Sequence, residues 1–395
     1  MVIDNCLLTC LVDRWRPETH TFHFRWGEMA PTLEDVSFLL GLPLAGQPIG
    51  PLQAPENWEH EMSLRFQGIN PNAGVFRSEN HGPKLGWLLD FQVRTVLFTC
   101  INLYTECNVS YASFHFTDRI YFEMYRYISF PAGIPLNATQ ITRSLEAYIL
   151  WLMGKVMFTE NHVTTISKRY IPIAFEIASA TAPEQITPRS WGSVVLAATY
   201  RAMCNGCHLL SDTASILGCP LLLQLWSWER FPIGRPDVRA HEAFPVDAFF
   251  DADHIDMPTF GFIWTRRQVC LIYVFITIVI FLPTCNKFCV VQRRFAHSQM
   301  RNCYEPFNEQ FDILSSGAVI WRPYTQAKKE AIYPGGMSDL CTRDRAYWMT
   351  KSKIVFDICV EEMAQQRVMR QFGLRQEALP LSTEEHVPPI IHGCV

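Results

Sequence analysis

Cysteine and histidine side chains in one short pattern have the types and spacing of a haem or metal site. The pattern Cys204-x-x-Cys207-His208 matches the attachment sequence of c-type haem. Haem is attached after export, and the amino terminus shows neither the basic region nor the cleavage site of a secretory signal. We therefore interpret the two thiols as a structural pair at a helix end. A contribution to a zinc site stays open, although no second Cys-x-x-Cys supplies further ligands.

Histidines and carboxylates elsewhere could also bind a cation. For His20 and His23, which alternate with phenylalanines, packing or hydrogen bonding is the favoured interpretation. A later acidic cluster lacks the glycine and the terminal glutamate of an EF-hand loop, which favours a solvated loop over a calcium site. The cluster consists of Asp251, Asp253, His254 and Asp256. We accordingly predict no metal ligand and no cofactor.

Motifs of several common enzyme classes are missing from the sequence. There is no Gly-x-x-x-x-Gly-Lys phosphate loop, no Gly-x-Ser-x-Gly nucleophile elbow and no His-Glu-x-x-His motif. The Gly-Asp-x-His and Gly-Asn-His-Glu patterns that hold two metals in metallophosphatases are absent as well. No lysine has a context that identifies it as the Schiff-base residue of a pyridoxal enzyme. We predict that the chain is not an enzyme and has no catalytic residue.

Composition predicts a folded chain with a sizeable core. Hydrophobic residues make up 49% and charged residues 18% of the 395 residues, which argues against global disorder. The net charge of −4 argues against a generally basic nucleic-acid-binding surface, although it leaves room for a local basic patch. The 14 cysteines are too irregularly spaced for a disulfide scaffold and indicate reduced thiols in an intracellular protein.

The most strongly patterned stretch, which we name the signature segment, runs from Leu11 to Ile49. Residues 19–24 alternate in polarity, which predicts a short half-buried strand. Thr32 is a good helix N-cap with Asp35 three positions later, close to a capping box. Gly41 can supply a left-handed C-cap. The segment therefore predicts a strand, a turn and a short capped helix.

Helical periodicity dominates the rest of the chain. The predicted helices are residues 1–15, Trp87–Tyr104, Asp118–Ser129, Thr142–Phe158, Tyr170–Ala180, Trp191–Cys204, Leu221–Trp228 and Lys353–Met369. In the last of these, Glu361 and Glu362 are expected to face solvent. Residues 47–83 are predicted to form a long surface connection. The fold class we predict is mainly α, a helical globular domain with a small β element near the N-terminus.

Three blocks of sequence carry a resemblance to a known family. The signature segment contains DRWRPETHTFHF and GEMAPTLEDVSFLLGLPLAGQPI, and it resembles the opening of the plant mobile domain family, also labelled aminotransferase-like. A second block, SWGSVVLAATYRAMC (Ser190–Cys204) with GCPLLLQLWSWERFPIGRP (Gly218–Pro236), and a third, VMRQFGLRQ (Val368–Gln376), resemble the same family. The family has no established catalytic motif, so the resemblance implies no chemistry.

The resemblance divides the chain into four parts. We expect residues 1–265 to form the main part of the domain and to be N-terminally truncated, because family members usually carry a further helical segment first. An exposed apolar face on the first helix is the expected consequence. Residues 266–303 hold an apolar insertion, residues 304–378 the C-terminal part of the same domain, and residues 379–395 a flexible tail.

One apolar run within the insertion has three open interpretations. Val269–Leu282 is uncharged, and it is shorter than the ~20 residues that span a bilayer as a helix. It could be a core strand or helix, a single membrane segment, or a stretch foreign to the domain, such as a retained intron.

The resemblance implies a non-catalytic protein-interaction module in nuclear complexes that maintain gene expression, transposon silencing and meristem identity. It also implies nuclear protein partners, among them a type 7-like serine/threonine phosphatase, and an origin in mobile elements. Direct nucleic-acid binding is left open. The alternatives are a protein anchored in a membrane through Val269–Leu282 and a transposon-derived, non-functional copy.

Charged and aromatic residues near the start of the signature segment are the candidate interaction surface. They are Arg14, Trp15, Arg16, Glu18 and His20. Charged side chains flanked by aromatic ones suit recognition of a partner. The alternative is an internal salt bridge that holds the strand to the core, and in that case alanine at Trp15 and Arg16 would abolish folding.

Overall fold

The computed structural model describes residues 3–66, 81–91, 138–160, 165–208, 217–236, 259–265, 297–332, 337–350, 353–363 and 365–376. The helix predicted at Asp118–Ser129, the run Val269–Leu282, the acidic cluster around His254 and the tail at 379–395 lie outside these residues. Among the helices of the described ranges, none is long and apolar enough to cross a membrane.

The described part of the chain is mainly α, as predicted, with one small β element near each end. The helices are α1 (Asn5–Val12), α2 (Leu33–Leu40), α3 (Trp58–Phe66), α4 (Leu85–Phe91), α5 (Ala138–Leu152), α6 (Ile171–Ser179), α7 (Trp191–Gly206), α8 (Pro220–Arg230), α9 (His297–Ile313) and α10 (Gln326–Ile332). The strands are β1 (Trp15–Arg16), β2 (Thr21–Phe24), β3 (Gly27–Met29), β4 (Lys353–Phe356) and β5 (Cys359–Glu362). Helices α5 to α8 confirm four of the predicted helices, and α5 passes into a π-helical turn at Met153–Met157.

The first β element is an antiparallel sheet with the order β1-β2-β3. Trp15 pairs with Phe22, and Phe22 pairs with Met29. All three side chains are fully buried, so they form the inner face of the sheet. The sheet is therefore held to the helical core by the apolar half of the alternating pattern that predicted it.

Helix α2 begins and ends as its sequence predicts. The Thr32 hydroxyl accepts from the backbone N–H of Asp35, while the Asp35 carboxylate accepts from the backbone N–H of Thr32, which completes a capping box. Gly41 ends the helix with a φ of +67° in the left-handed region. A Cβ at Gly41 would lie 2.8 Å from the Thr259 methyl group, so close packing also requires glycine there.

The second β element contradicts the helix predicted at Lys353–Met369. Residues 353–362 form the antiparallel hairpin β4–β5, with Phe356 opposite Cys359. Asp357 adopts a φ of +56°, which suits a two-residue hairpin turn. In β5, Glu361 is buried between the exposed residues Val360 and Glu362, an alternation of period two that the helical interpretation missed.

Two further expectations were wrong. The apolar face of α1 is not exposed, because Leu7, Leu8 and Leu11 are fully buried where α1 packs against α9 and α8. Residues 47–83 are not one long connection, because α3 lies within them and buries Trp58 and Met62 in the core.

Candidate functional site

Arg14 is partly buried and forms an ion pair with an exposed aspartate of α9. Its Nη2 donates to Oδ1 of Asp312 at 2.6 Å and to the backbone oxygen of Asn308 at 3.2 Å, both on α9. Its Nη1 donates to the backbone oxygen of Cys10 at 2.9 Å. The guanidinium therefore fastens the end of α1 to α9.

Trp15 lies in the core and contributes no exposed area. Its ring meets Phe22 and Tyr200 edge-on, at centroid distances of 5.0 and 5.1 Å. Its Nε1 donates to Sγ of Cys204 at 3.3 Å, and Sγ of Cys207 donates to the backbone oxygen of Cys204 at 3.2 Å. Burial raises the pKa of Cys204 to about 12, which keeps the thiol protonated. These contacts agree with a structural pair of thiols at the end of α7.

Arg16 and Glu18 are exposed on the turn that joins β1 to β2. Arg16 Nη1 donates to the backbone oxygens of Asp13 and Trp15 at 3.3 and 3.1 Å. The backbone N–H of Thr19 donates to the backbone oxygen of Arg16 at 3.2 Å. The signature segment thus presents one cation and one anion on a hydrogen-bonded turn, which we name the signature turn (residues 16–20).

His20 ends the signature turn and lies between three elements of the fold. Its φ of +50° is in the left-handed region, which histidine adopts more readily than most residues. The imidazole stacks on Trp15 at a centroid distance of 6.1 Å and lies 5.4 Å from the ring of Tyr200 on α7. Its Nδ1 is 2.9 Å from the backbone oxygen of Glu362, and its Nε2 is 3.2 Å from Oε2 of Glu361.

Glu361 is the buried carboxyl group beside His20, and the expectation that it faces solvent was wrong. Only 3% of the residue is exposed. Nε of Arg201 lies 4.0 Å from Oε1 of Glu361 and donates to Sγ of Cys359 at 3.1 Å. Burial raises the pKa of Glu361 to about 7 against the opposing effect of Arg201, and burial lowers the pKa of His20. We name His20, Arg201, Cys359 and Glu361 the His20 cluster.

A second buried polar network joins the capping box of α2 to α8. Nη2 of Arg230 donates to Oδ1 of Asp35 at 2.5 Å, and neither side chain is exposed. The Tyr324 hydroxyl donates to the same Oδ1 at 2.8 Å. Nη1 of Arg230 donates to the backbone oxygen of Trp321 at 2.8 Å. The carboxylate that caps α2 is therefore also the counter-ion of a fully buried guanidinium.

Glu229, which precedes Arg230 on α8, forms a second ion pair with a lysine of α10. Oε1 of Glu229 accepts from Nε1 of Trp264 at 2.7 Å, and Oε2 accepts from Nζ of Lys328 on α10 at 2.5 Å. The carboxylate has no exposed area, while the Lys328 side chain is 24% exposed. Glu229 and Arg230 are not among the candidate residues predicted from the sequence, although two charges at the end of an apolar helix are a signal for buried pairing.

The third block of sequence, together with Arg367 directly before it, also contacts the signature segment through polar side chains. The Gln371 side chain accepts from the backbone N–H of Ala30 and donates to the backbone oxygen of Ala30, each at 2.8 Å. Arg367 donates to both carboxylate oxygens of Glu28 at 2.6 Å. All three blocks therefore meet in space, and charged or amide side chains make the junctions.

No metal centre emerges from the residues whose positions are described. Within those ranges, no group of three or more histidine, cysteine, aspartate or glutamate side chains is arranged to hold a metal ion. Cys207 and His208 come from one helix end and gain no further ligand from the described neighbours.

The fold and the site define a mainly α domain in which the signature segment and the β4–β5 hairpin are each joined to α7 or α8 by buried polar contacts. The chain belongs to the plant mobile domain family, whose family profile matches residues 1–386.

Curated relatives from Arabidopsis thaliana support this assignment. The chain is 27% identical to Protein MAIN-LIKE 2 over 379 residues, which cover 95% of this chain and 42% of the relative. It is 27% identical over 380 residues to the Serine/threonine-protein phosphatase 7 long form homolog, which covers 95% of this chain and 22% of the relative. It is 25% identical over 376 residues to Protein MAINTENANCE OF MERISTEMS, which covers 95% of this chain and 58% of the relative. The chain therefore spans between about a fifth and three fifths of these relatives. No solved structure matches it.

Proposed function

We propose that this chain is a non-catalytic protein-interaction module that acts in the nucleus, in meristem maintenance, control of gene expression and transposon silencing. A relative named for maintenance of meristems shares nearly the whole length of the chain. The partners of this chain would be nuclear proteins, among them a type 7-like serine/threonine phosphatase. The name of a second relative, a phosphatase 7 long form homolog, supports that choice.

The observation that carries a non-catalytic role is the way in which charged side chains are used. Asp35 with Arg230, and Glu229 with Lys328, neutralise each other where elements of the fold meet. Carboxylates committed to buried ion pairs stabilise a unique packing and are not available as general acids or bases. These charges stabilise the fold, so the side chains that recognise a partner would be exposed ones.

The signature turn is the surface we propose for recognition. Arg16 and Glu18 are exposed. Trp15, which is buried in the core, and His20, which contacts β5, hold the turn in place. A rigid support reduces the ordering cost that a partner must overcome on binding. Of the five candidate residues, Arg16 and Glu18 would touch the partner, while Arg14, Trp15 and His20 would position them.

Reversing both charges of the turn is expected to abolish partner binding without loss of folding. Tagged R16E/E18R and wild-type chains would be expressed in plant cells and purified from nuclear extract with their bound proteins. Because both side chains are exposed, the free energy of unfolding should stay within about 0.5 kcal/mol of wild type.

D339K/R345E is the matched control, because it reverses one exposed anion and one exposed cation that make no described contact with the signature turn. This control should retain the wild-type set of bound proteins. An R16E/E18R protein that folds normally and keeps the same partners would exclude the signature turn as the binding surface.

Fractionation of plant cells, with carbonate extraction of the membranes, tests the proposed location. We expect the tagged full-length protein in the soluble nuclear fraction. Retention in carbonate-washed membranes would favour the alternative of an anchor at Val269–Leu282. Recovery only as aggregates would favour the non-functional copy.

A further inference from the structure

The two ring nitrogens of His20 face two different kinds of acceptor. Nδ1 lies 2.9 Å from the backbone oxygen of Glu362, and a carbonyl oxygen can only accept, so Nδ1 carries a hydrogen. Nε2 lies 3.2 Å from Oε2 of Glu361, in a place where the carboxyl group is almost fully buried. A neutral imidazole with its hydrogen on Nδ1 has a lone pair on Nε2, and an ionised carboxylate also presents lone pairs. Direct contact of these two atoms therefore requires a proton between them.

We propose that His20 and Glu361 share one proton, and that this proton holds the β4–β5 hairpin against the signature turn. The proton can sit on Nε2, which gives imidazolium beside carboxylate, or on Oε2, which gives imidazole beside carboxylic acid. The pair has zero net charge in both arrangements. Loss of the proton leaves one negative charge in a buried site and two lone pairs in contact, so β5 loses one of its two contacts with His20 and keeps the one from Nδ1 to the backbone oxygen of Glu362.

The groups around the pair come from each element packed against it. Helix α7 contributes Arg201, whose Nε lies 4.0 Å from Oε1 of Glu361, together with the Tyr200 hydroxyl and the Cys204 thiol. Burial raises the pKa values of Tyr200 and Cys204 far enough that both stay neutral near pH 7.

Strand β5 contributes Glu362 and Cys359, and the signature turn contributes Glu18. Burial raises the pKa of the Cys359 thiol, so this group also stays protonated. Glu362 is paired with Lys353 of β4 at 3.5 Å. The negative charges of Glu18 and Glu362 favour a proton on His20, and Arg201 opposes it.

The direction of the pH dependence follows from the two groups. The pKa of Glu361 is raised from 4.5 to about 7, so its contribution to docking is complete below 4.5 and is lost as the pH rises through about 7. The pKa of His20 is lowered from 6.5, so its contribution is present above 6.5 and is lost in acid. The hairpin is therefore held more firmly on the acidic side of pH 7 than above it.

Hydrogen–deuterium exchange of the full-length protein between pH 6 and 8.5 tests this. Protection factors of peptides covering 353–363, corrected for the intrinsic exchange rate, should fall as the pH rises to about 7, by no more than about tenfold per pH unit, and should level off at higher pH, where the docked pair has already lost its proton. Peptides from α5 (Ala138–Leu152), which is remote from the His20 cluster, should show no such slope. E361Q is the matched variant, because a glutamine amide donates permanently to Nε2 and does not titrate. Its hairpin protection should be independent of pH.

Hairpin protection that does not change with pH in the wild type would overturn the proposal. An equal pH dependence of protection in α5 would also overturn it, because that result would indicate global unfolding. If hairpin protection in E361Q still depends on pH in the same way, another group must release the proton. Protection of α5 guards against misfolding of E361Q, because a correctly folded variant keeps the wild-type protection of that helix at every pH. None of these measurements needs a partner, so they stand apart from the proposed function. A pH-dependent affinity of the signature turn for its partner would be the further consequence, and that consequence rests on the proposed function.

Discussion

Replacing Arg230 with methionine is expected to lower the free energy of unfolding by about 3–5 kcal/mol. Methionine retains much of the volume but leaves the carboxylate of Asp35 buried without its counter-ion, at a site where neither side chain is exposed. The Tyr324 hydroxyl and the backbone of Thr32 still donate to Asp35, but they carry no positive charge. Urea denaturation followed by far-ultraviolet circular dichroism measures the loss.

Two controls separate this ion pair from charge effects in general. K353M removes one partner of the exposed pair with Glu362 and should cost less than about 1 kcal/mol, because solvent screens that pair. The double variant D35N/R230M should lose less than the sum of its two single variants, since no lone charge is left in the core. An R230M protein as stable as K353M would contradict a role for the buried pair in holding α2 to α8.

Local chemistry explains why the signature segment was predictable. Thr32, Asp35 and Gly41 act within one helix, and their side-chain preferences are set by the ends of that helix whatever packs around it. The apolar helices α5 to α8 were predictable for a related reason, because helical spacing that continues without interruption over two or more turns is a strong signal.

Contacts between distant parts of the sequence explain what the pattern missed. Arg230 was invisible as the partner of Asp35, because 195 positions separate them and the pattern of each segment is complete without the other. The hairpin at 353–362 was misassigned because Ile354 and Ile358 also fit a helical spacing. Glu361, which is compatible with a solvent-facing helix, becomes a buried group only because His20 and Arg201 are brought to it.

Alanine at Trp15 is expected to lower the free energy of unfolding by about 3–5 kcal/mol, the range for truncation of a fully buried aromatic side chain. The change removes the ring contacts with Phe22 and Tyr200 and the hydrogen bond to Cys204, and it leaves a cavity between the first sheet and α7. Urea denaturation measures the loss, and W15F, which keeps a buried ring, should lose clearly less.

R16A is the neighbouring control that separates support from recognition at the signature turn. Arg16 is exposed and bonds only to backbone oxygens of its own segment in the described contacts, so R16A should change the free energy of unfolding by no more than about 0.5 kcal/mol. Adjacent residues of one patterned segment would then have opposite effects, with stability lost at Trp15 and partner binding lost at Arg16. A W15A protein as stable as R16A that fails to bind its partner would show instead that the indole itself is part of the recognition surface. Such a result would require the first sheet to open on binding, because Trp15 has no exposed area in the structure.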